Sequence, residues 1–308
     1  MRALAILIVV TVGIGQQIPS IRVDVDLVHV LCTVRDRRGA LVNNLKQDDF
    51  ILLEDGAPQA IRHFARETDL PLTVGLLVDT SNSQVRLVDE ERKAAAQFFS
   101  QVIRPKDAAF LISFDAGTEL LMERASSRQS IAAGLEKLRQ NSPRFEARGR
   151  IGRAGGTRLY DAVLRASNEH LRKEPGRKAI VLITDGTDVG SSIRMDNAID
   201  AAQKADAIIY SIYYVDSKAY GGSTSPNRQG QVVLQEMSEQ TGGRFFRVDQ
   251  RRSLKAIFNQ IQQEMRSQYA LEFTSSKERR DVGYRRLEVL LRNPGLRAQA
   301  RKGYYAGE

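Results

Sequence analysis

The pattern of hydrophobic and polar positions divides the chain into three parts. In residues 20–67, apolar and polar residues alternate in short stretches such as VDVDLVHVLCTV, DDFILLEDG and AIRHFA, separated by Gly turns. Such alternation is typical of half-buried β-strands. The last forty residues show a similar pattern in QYALEF, YRRLEVLLR and LRAQARKGYYA. We therefore expect strands, and no helix, at both ends of the chain.

Between these ends, apolar runs alternate with amphipathic segments. The apolar runs are TVGLLVD, AAFLISFD, KAIVLITD, AIIYSIYYV and the shorter RFFRVD. The amphipathic segments predict helices around residues 88–103, 127–139, 158–173, 195–204, 230–240 and 251–267. Continuously apolar strands separated by helices predict a doubly wound, mainly parallel sheet with helices on both faces. The short strand TELLME, joined to AAFLISFD by a tight Ala-Gly link, is the expected antiparallel exception.

These patterns predict a discontinuous organisation. We expect a β-rich module whose first part spans residues 20–68 and whose second part spans residues 268–306. An α/β domain at residues 70–267 is inserted between them. Neither end is large enough to bury a core alone, so the two ends together are expected to form a small β-sandwich-like module. Two separate β caps packed on the sheet edges are the alternative.

Residues 1–15 have the layout of a secretory signal peptide. Arg2 precedes a 12-residue apolar stretch, Ala3 to Ile14, and Gly13 and Gly15 supply the small side chains that a signal peptidase requires. Twelve residues are too few to span a bilayer, which needs about 20. We expect an exported protein, periplasmic or extracellular, with no membrane span in the mature chain. A buried N-terminal strand is the alternative interpretation.

Composition and charge narrow the classes of function. With 42% hydrophobic and 27% charged residues, the 308-residue chain is typical of a soluble protein with a buried core. The net charge is +9, but Lys and Arg are spread along the chain, which argues against a nucleic-acid-binding module. The single cysteine, Cys32, cannot form an intramolecular disulfide, and the sequence has no Cys/His cluster for zinc.

Polar residues stand out in three segments. Two of them directly follow an apolar strand, and the third follows a pair of glycines. DTSNS begins at Asp79, at the end of the first run, and DGTD begins at Asp185, at the end of KAIVLIT. The segment GGTRLYDA places Thr157 just before a predicted helix. In an open α/β sheet, ligands bind outside the carboxyl ends of the strands. We therefore expect these three segments to meet at one edge of the sheet.

The side chains at this edge would present only oxygen atoms. In an extended loop, alternate residues project to one side, so Asp79, Ser81 and Ser83 can converge. With Thr157 and Asp185 they offer the hard oxygen ligands that suit Mg²⁺. Such ligation would leave a coordination position open for a carboxylate of a partner. The alternative is that the polar residues of DTSNS, and Thr157, are helix N-caps.

The three segments resemble motifs of von Willebrand factor type A domains. DTSNS is similar to the DxSxS signature, GGTRLYDAV to the threonine loop and LITDGTD to the later aspartate motif, in the family's order. The resemblance implies an intact metal-ion-dependent adhesion site (MIDAS). Its ion would be Mg²⁺, or Mn²⁺ or Ca²⁺, and an Asp or Glu of a protein partner would complete it. By resemblance, Ser81 and Ser83 bind the ion directly and Thr157 does so in the engaged state. Asp79 and Asp185 would bind it directly or through water.

The flanking segments resemble a more specific family. VRDRRGALVNNLKQDDFILLEDGAPQAIRHF, followed by a type A domain and a β tail, is similar to the lead-in of the bacterial exported VWFA-related domain family. This resemblance indicates more about the fold than about the role.

Enzymatic alternatives lack residues that they need. A phosphotransferase with Asp79 as nucleophile needs a second acid two residues on, where this chain has Ser81. A serine hydrolase needs a positioned base and an oxyanion hole, but the sequence has no GxSxG and its histidines fall elsewhere. We therefore expect a binding module and not an enzyme. A structural β-module protein whose ion only orders the loops is the alternative.

Overall fold

The computed structural model describes residues 27–66, 70–81, 84, 87–140, 156–215, 227–277 and 281–307. The predicted signal peptide (residues 1–15) and Ser83 lie outside this part of the chain. Within it, no helix is long and apolar enough to cross a membrane.

Fourteen strands and six α-helices lie in the described part of the chain. The strands are β1 (Leu27–Asp36), β2 (Phe50–Glu54), β3 (Ala57–Gln59), β4 (Ile61–Arg66), β5 (Leu72–Asp79), β6 (Ala108–Phe114), β7 (Thr118–Ala125), β8 (Arg177–Thr184), β9 (Ala207–Tyr213), β10 (Phe245–Arg247), β11 (Tyr269–Thr274), β12 (Gly283–Leu291), β13 (Leu296–Ala300) and β14 (Gly303–Ala306). The helices are α1 (Val88–Val102), α2 (Arg128–Gln140), α3 (Leu159–Arg165), α4 (Met195–Lys204), α5 (Arg228–Thr241) and α6 (Leu254–Met265). A 3₁₀ turn, Gln47–Asp49, precedes β2, and α3 continues as a π-helical segment, Ala166–Leu171.

The central sheet has the strand order β10-β9-β8-β5-β6-β7. Its strands are parallel except β7, which pairs antiparallel with β6. Every residue of β5, β6, β8 and β9 is buried, which explains why their sequences are continuously apolar and do not alternate. The predicted α/β class is confirmed. Because β5 and β8 are parallel neighbours, Asp79 and Asp185 emerge side by side at the same edge.

Helices cover both faces of this sheet. One face packs against α1, α2 and α6, where Phe98 and Phe258 stack with their ring centroids 4.6 Å apart. The other face packs against α3, α4 and α5. The α/β part therefore has two hydrophobic cores, one on each side of the sheet.

The two ends of the chain form one β module. Its two antiparallel sheets have the orders β13-β1-β11-β4 and β14-β12-β2-β3, so each sheet combines two strands from each end of the chain. A third apolar cluster, which includes Cys32, Phe50 and Phe273, is built from strands of both sheets. The β-sandwich-like module predicted from the two ends is confirmed, and the alternative of two separate caps is wrong.

One predicted strand is divided in two. LRAQARKGYYA was expected as a single strand, but β13 pairs with β1 in one sheet and β14 pairs with β12 in the other. The chain changes sheets at Arg301 and Lys302. Gly303 permits this crossing, because a Cβ atom there would lie 2.5 Å from the carbonyl oxygen of Arg285. The tail therefore contributes four strands and not the three expected.

The end of α6 joins the α/β part to the β module. Glu264 is buried there and accepts from two guanidinium groups, Arg35 of β1 at 2.6 Å and Arg244 at 2.8 Å. The guanidinium of Arg177 also donates to the carbonyl oxygen of Met265. Since α6 leads directly into β11, these contacts fix the orientation of the two parts at the point where the chain passes between them.

Candidate functional site

Asp79 ends the central strand of the sheet and is fully buried. Its Oδ2 accepts a 2.6 Å hydrogen bond from Thr184 Oγ1, and its Oδ1 accepts a 2.9 Å bond from the backbone N–H of Ser81. Burial raises the pKa of Asp79 to about 7; hydrogen bonds from Ser81 and Thr184 oppose this rise, and the charge of Asp185 adds to it. Within the described residues, no Lys or Arg side chain forms a salt bridge with Asp79. In this part of the chain, the Asp79 carboxylate therefore has neutral hydrogen-bond donors and no positively charged partner.

Asp185 follows the neighbouring strand β8 and is also buried. Its Oδ1 accepts from the backbone N–H of Thr187 at 2.9 Å, and its carbonyl oxygen accepts from Asn227 Nδ2 at 3.1 Å. Gly186 has a φ of +75°, and a Cβ there would lie 2.4 Å from the carbonyl oxygen of Gly230. The loop after β8 is therefore held tightly against the start of α5.

Thr157 is brought to the same loop by backbone pairing. Its N–H donates to the carbonyl oxygen of Val189 at 2.9 Å, and the N–H of Val189 donates back at 2.8 Å. The next residue, Arg158, donates its N–H to the carbonyl oxygen of Asp115 at 2.8 Å, at the turn between β6 and β7. The threonine segment is thus fixed both to the loop after β8 and to the turn after β6.

The structure therefore brings Asp79, Ser81, Thr157 and Asp185 to one edge of the sheet. All four residues are at least nine-tenths buried. Ser83, the fifth predicted residue, lies outside the described part of the chain.

The N-cap interpretation fails at both places where it was considered. Helix α1 begins at Val88 with Leu87 in the N-cap position, several residues after DTSNS. Helix α3 has Arg158 and not Thr157 in its N-cap position, without a side-chain cap. The backbone N–H of Tyr160 in the first turn of α3 donates instead to Asp188 Oδ1, at 3.2 Å. Asp188, three residues after Asp185, therefore caps this helix from the neighbouring loop.

Two positioning residues were not found by reading the sequence. Thr184 holds Asp79, but it is hidden as the last residue of the apolar run KAIVLIT. Asn227 caps α5 by accepting from the N–H of Gly230 at 2.9 Å, and its amide nitrogen contacts Asp185 and Thr187 Oγ1. An Asn directly before a helix is a usable N-cap signal, whereas a hydroxyl at a buried strand end has no local signature.

Two further polar side chains near this edge are buried and unpartnered. Glu91 in the first turn of α1 and Gln84 in the preceding turn are both fully or almost fully buried. Among the described residues, neither the carboxylate oxygens of Glu91 nor the amide atoms of Gln84 have a hydrogen-bond partner. Native proteins pair most of their buried polar atoms, so such orphaned groups call for an explanation.

The chemistry of this edge fits a divalent cation. It offers buried carboxylates and hydroxyls, the oxygen ligands that Mg²⁺ and Ca²⁺ prefer, together with polar atoms that lack a partner. Within the described residues, no group of three or more His, Cys, Asp or Glu side chains lies close enough to hold an ion alone. Hydroxyl oxygens from the loops would therefore be needed to complete the ligand set.

Structures similar to this fold come from several kinds of protein. The conserved hypothetical protein BatB from Bacteroides thetaiotaomicron is 18% identical over 63% of this chain and 97% of its own, with a TM-score of 0.45. An aerotolerance-related membrane protein from Bacteroides fragilis is 20% identical over 63% of this chain and 98% of its own, with a TM-score of 0.44. Proximal thread matrix protein 1 from the mussel byssus, with a zinc-occupied MIDAS motif, is 12% identical over 70% of this chain and 50% of its own, with a TM-score of 0.49.

The sequence itself gives the firmer assignment. No curated protein matches it. Residues 74–187 match the von Willebrand factor type A domain family, a segment that begins in β5 and ends just after Asp185. This match covers β5 to β8 of the central sheet and supports a domain of the von Willebrand factor A type there.

Proposed function

We propose that this chain is an exported binding module in which a divalent cation is completed by an Asp or Glu of a protein partner. The cation is Mg²⁺, with Mn²⁺ and Ca²⁺ as the other candidates. Its proposed ligands, direct or through water, are Asp79, Ser81, Ser83, Thr157 and Asp185.

The observation that carries this proposal is the buried carboxylate of Asp79. Taking an ionised carboxylate out of water costs several kcal/mol unless a charge or a full set of hydrogen bonds offsets the loss. The donors to Asp79 are all neutral, namely the hydroxyls of Ser81 and Thr184 and the backbone N–H of Ser81, and the negative charge of Asp185 lies nearby. A divalent cation at this edge supplies the missing positive charge.

The residues around the proposed ligands hold them in place. Thr184 orients Asp79, and Asn227 ties the loop that carries Asp185 to α5. The backbone pairing of Thr157 with Val189 fixes the third segment. Pre-positioned ligands of this kind bind an ion without having to be ordered first.

The partner's carboxylate follows from the ligand count. Mg²⁺ takes six oxygen ligands and keeps waters where the protein supplies too few. Two carboxylates balance the charge of the ion, but where a ligand binds only through water an exchangeable position remains, and an anionic oxygen can replace a water there. Type A domains often mediate protein–protein interactions with metal sites, which supports a binding role over an enzymatic one.

Calorimetric titration of the metal-free protein with Mg²⁺ tests the ion. We expect binding of one ion by the wild type and none by Asp79→Ala. Asp196→Ala removes an acid on α4 whose side chain is 68% exposed, and it should bind like the wild type. Equal and negligible binding by all three proteins would contradict the proposal.

Chelation tests the partner's role. Proteins of the exported fraction are captured on the wild-type chain in Mg²⁺ and again in EDTA. A complex that is lost in EDTA, and also lost with Asp79→Ala, agrees with an ion completed by the partner. A complex that resists EDTA would favour the alternative in which the ion only orders the loops and a β surface binds. Turnover of a generic phosphate or ester substrate that Asp79→Ala abolishes would indicate a hydrolase instead.

A further inference from the structure

Helix α1, which follows the DTSNS segment, buries an acid in its first turn. Glu91 is 1% exposed, and it lies three and four residues from Val88 and Ala95, which belong to the core on that face of the sheet. Residues at this spacing share one face of a helix. Glu91 is therefore at a position where the pattern of α1 requires an apolar side chain.

The second feature of this acid is that its side chain has no hydrogen-bond partner among the residues that the structure describes. In the described part of the chain, both carboxylate oxygens of Glu91 are buried and unbonded. The amide of Gln84 has the same property, although the residue is fully buried. An unpaired buried amide destabilises the folded protein, and an unpaired buried carboxylate does so more strongly. Two such residues within one short segment indicate a group that both of them contact when it is bound.

The environment of Glu91 points to the cation edge. Burial raises the pKa of Glu91 well above its ordinary range, and the charges of Asp79 and then Glu90 raise it further. Asp79 in turn is affected by the charge of Asp185. The carboxyl groups of Asp79, Asp185 and Glu91 therefore interact electrostatically around the end of β5, with Glu91 on the side of α1.

We propose that Glu91 is a further positioning residue of the cation site. The cation bound by Asp79 offsets the negative charge of Glu91, and the water shell of the ion hydrogen-bonds the Glu91 carboxylate. The inference rests on the proposed function above. Glu91 is not assigned as a direct ligand, because no group of three acids in the described residues lies close enough to hold an ion. We assign Gln84 to the same water shell, because its buried amide atoms also have no hydrogen-bond partner among the described residues.

This assignment changes the net charge of the cation-bound site from zero to negative. With Asp79 and Asp185 alone, a divalent cation leaves the buried edge neutral, whereas a third carboxylate leaves one negative charge over. Charge–charge energies fall with distance and with the dielectric constant, so an acid outside the ligand shell still changes ion affinity measurably. Glu91 should therefore strengthen the binding of the cation without touching it.

The test compares isosteric variants. Mn²⁺ affinity is measured by calorimetry for the wild type, Glu91→Gln and Glu90→Gln. Glu91→Gln removes the buried charge and keeps the shape. Glu90→Gln makes the same change at the neighbouring exposed position, where the amide oxygen can still accept the hydrogen bond that Tyr214 donates to Glu90. We expect Glu91→Gln to bind Mn²⁺ roughly tenfold more weakly and Glu90→Gln to bind like the wild type.

A second readout separates this role from a structural one. The thermal unfolding midpoint is measured for each protein in EDTA and in Mn²⁺. Glu91→Gln should unfold at the wild-type temperature or higher in EDTA, and should gain less on adding Mn²⁺. Glu91→Leu, which fills the position with apolar atoms, should show the same smaller gain and covers the case in which Glu91→Gln does not fold.

The outcomes of this test are distinguishable. Wild-type Mn²⁺ affinity in both Glu91 variants overturns this inference and leaves the proposed function standing. A wild-type protein that binds no Mn²⁺ overturns both. An equal loss in Glu91→Gln and Glu90→Gln also overturns the inference, because it would show a general effect of charge and not a role of the buried acid.

Discussion

Thr184 Oγ1 donates a 2.6 Å hydrogen bond to Asp79 Oδ2 across the neighbouring parallel strands β8 and β5. The same hydroxyl accepts from the backbone N–H of Gly186 at 3.1 Å. One buried hydroxyl therefore orients the first proposed ligand and also the turn that carries Asp185. Residues 105 positions apart in sequence act here as one unit.

Replacing Thr184 by Val should weaken the site. The variant keeps the shape of the side chain but leaves Asp79 Oδ2 without its donor, so we expect stability to fall by about 1–3 kcal/mol. Mg²⁺ affinity should fall as well, because Asp79 is no longer held in one orientation. Thr184→Ser keeps the hydroxyl and is the matched control. Denaturant unfolding and calorimetry measure the two effects, and a Val variant that matches the Ser variant in both would contradict this role.

Asn227 is expected to couple the loop after β8 to α5. Its side chain accepts from the N–H of Gly230 and donates to Asp185 and Thr187. Asn227→Ala should lose both the cap of α5 and the hydrogen bonds to Asp185 and Thr187. We expect its stability to fall by about 1–2 kcal/mol. Asn227→Asp keeps the acceptor that caps the helix but loses the two donated bonds. If these bonds position Asp185, Asn227→Asp will keep most of the wild-type stability but bind Mg²⁺ more weakly. An unchanged Mg²⁺ affinity would show that the two bonds do not position Asp185.

The discontinuous β module depends on a buried ion pair. Glu54 of β2 is fully buried and accepts from Tyr304 at 2.5 Å, from Ser275 at 2.6 Å and, at 3.5 Å, from Arg285. Arg285→Met leaves this carboxylate without its counter-charge, and we expect a loss of about 3–5 kcal/mol in the free energy of unfolding.

The neighbouring residue Arg286 provides the control for that prediction. Its side chain is 62% exposed, and its guanidinium pairs with Glu288 at 3.4 Å. Exposed pairs contribute about 0–1 kcal/mol, so Arg286→Met should change stability little. Urea unfolding of the two variants measures the difference, and equal losses would show that the buried pair has no special role.

Cys32 should be chemically silent in the folded protein. Burial raises the pKa of its thiol from 9.0 to about 12, and the side chain lies in the core of the β module. Only the thiolate reacts with disulfide reagents. At pH 8 we expect no modification by a disulfide reagent in the native state and full modification in guanidinium. Raising the pH to 10 should speed the reaction of the unfolded protein only, and rapid labelling of the native protein would show that the two sheets do not enclose this residue.

The parts of the fold that the sequence predicts are those with a clear pattern of apolar and polar residues. Runs such as KAIVLITD are continuously apolar because β8 is covered on both faces, and parallel strands bring their carboxyl ends to one edge. The sequence alone therefore predicts that Asp79 and Asp185 lie together. Both strand ends are also visible as motifs, since each aspartate is followed directly by small polar residues or Gly.

The features that the sequence does not predict depend on contacts between distant residues, which leave no local pattern in the sequence. Thr184 looks like part of an apolar strand, and Glu91 looks like one of several acids at the start of a charged helix. LRAQARKGYYA reads as one strand because its change of sheet depends on how closely Gly303 approaches Arg285. Each of these features is set by which elements become neighbours in three dimensions, and that information is spread over distant parts of the chain.

Crystals of the protein soaked in Mn²⁺ give the most direct test of the central claim, because anomalous scattering locates the ion without reference to activity or partner. The account predicts one anomalous peak per chain at the carboxyl edge of β5 and β8, contacted by Asp79 and Asp185 directly or through water, and absent from Asp79→Ala. No peak at this edge in the wild type, or a peak there that persists in Asp79→Ala, would contradict it.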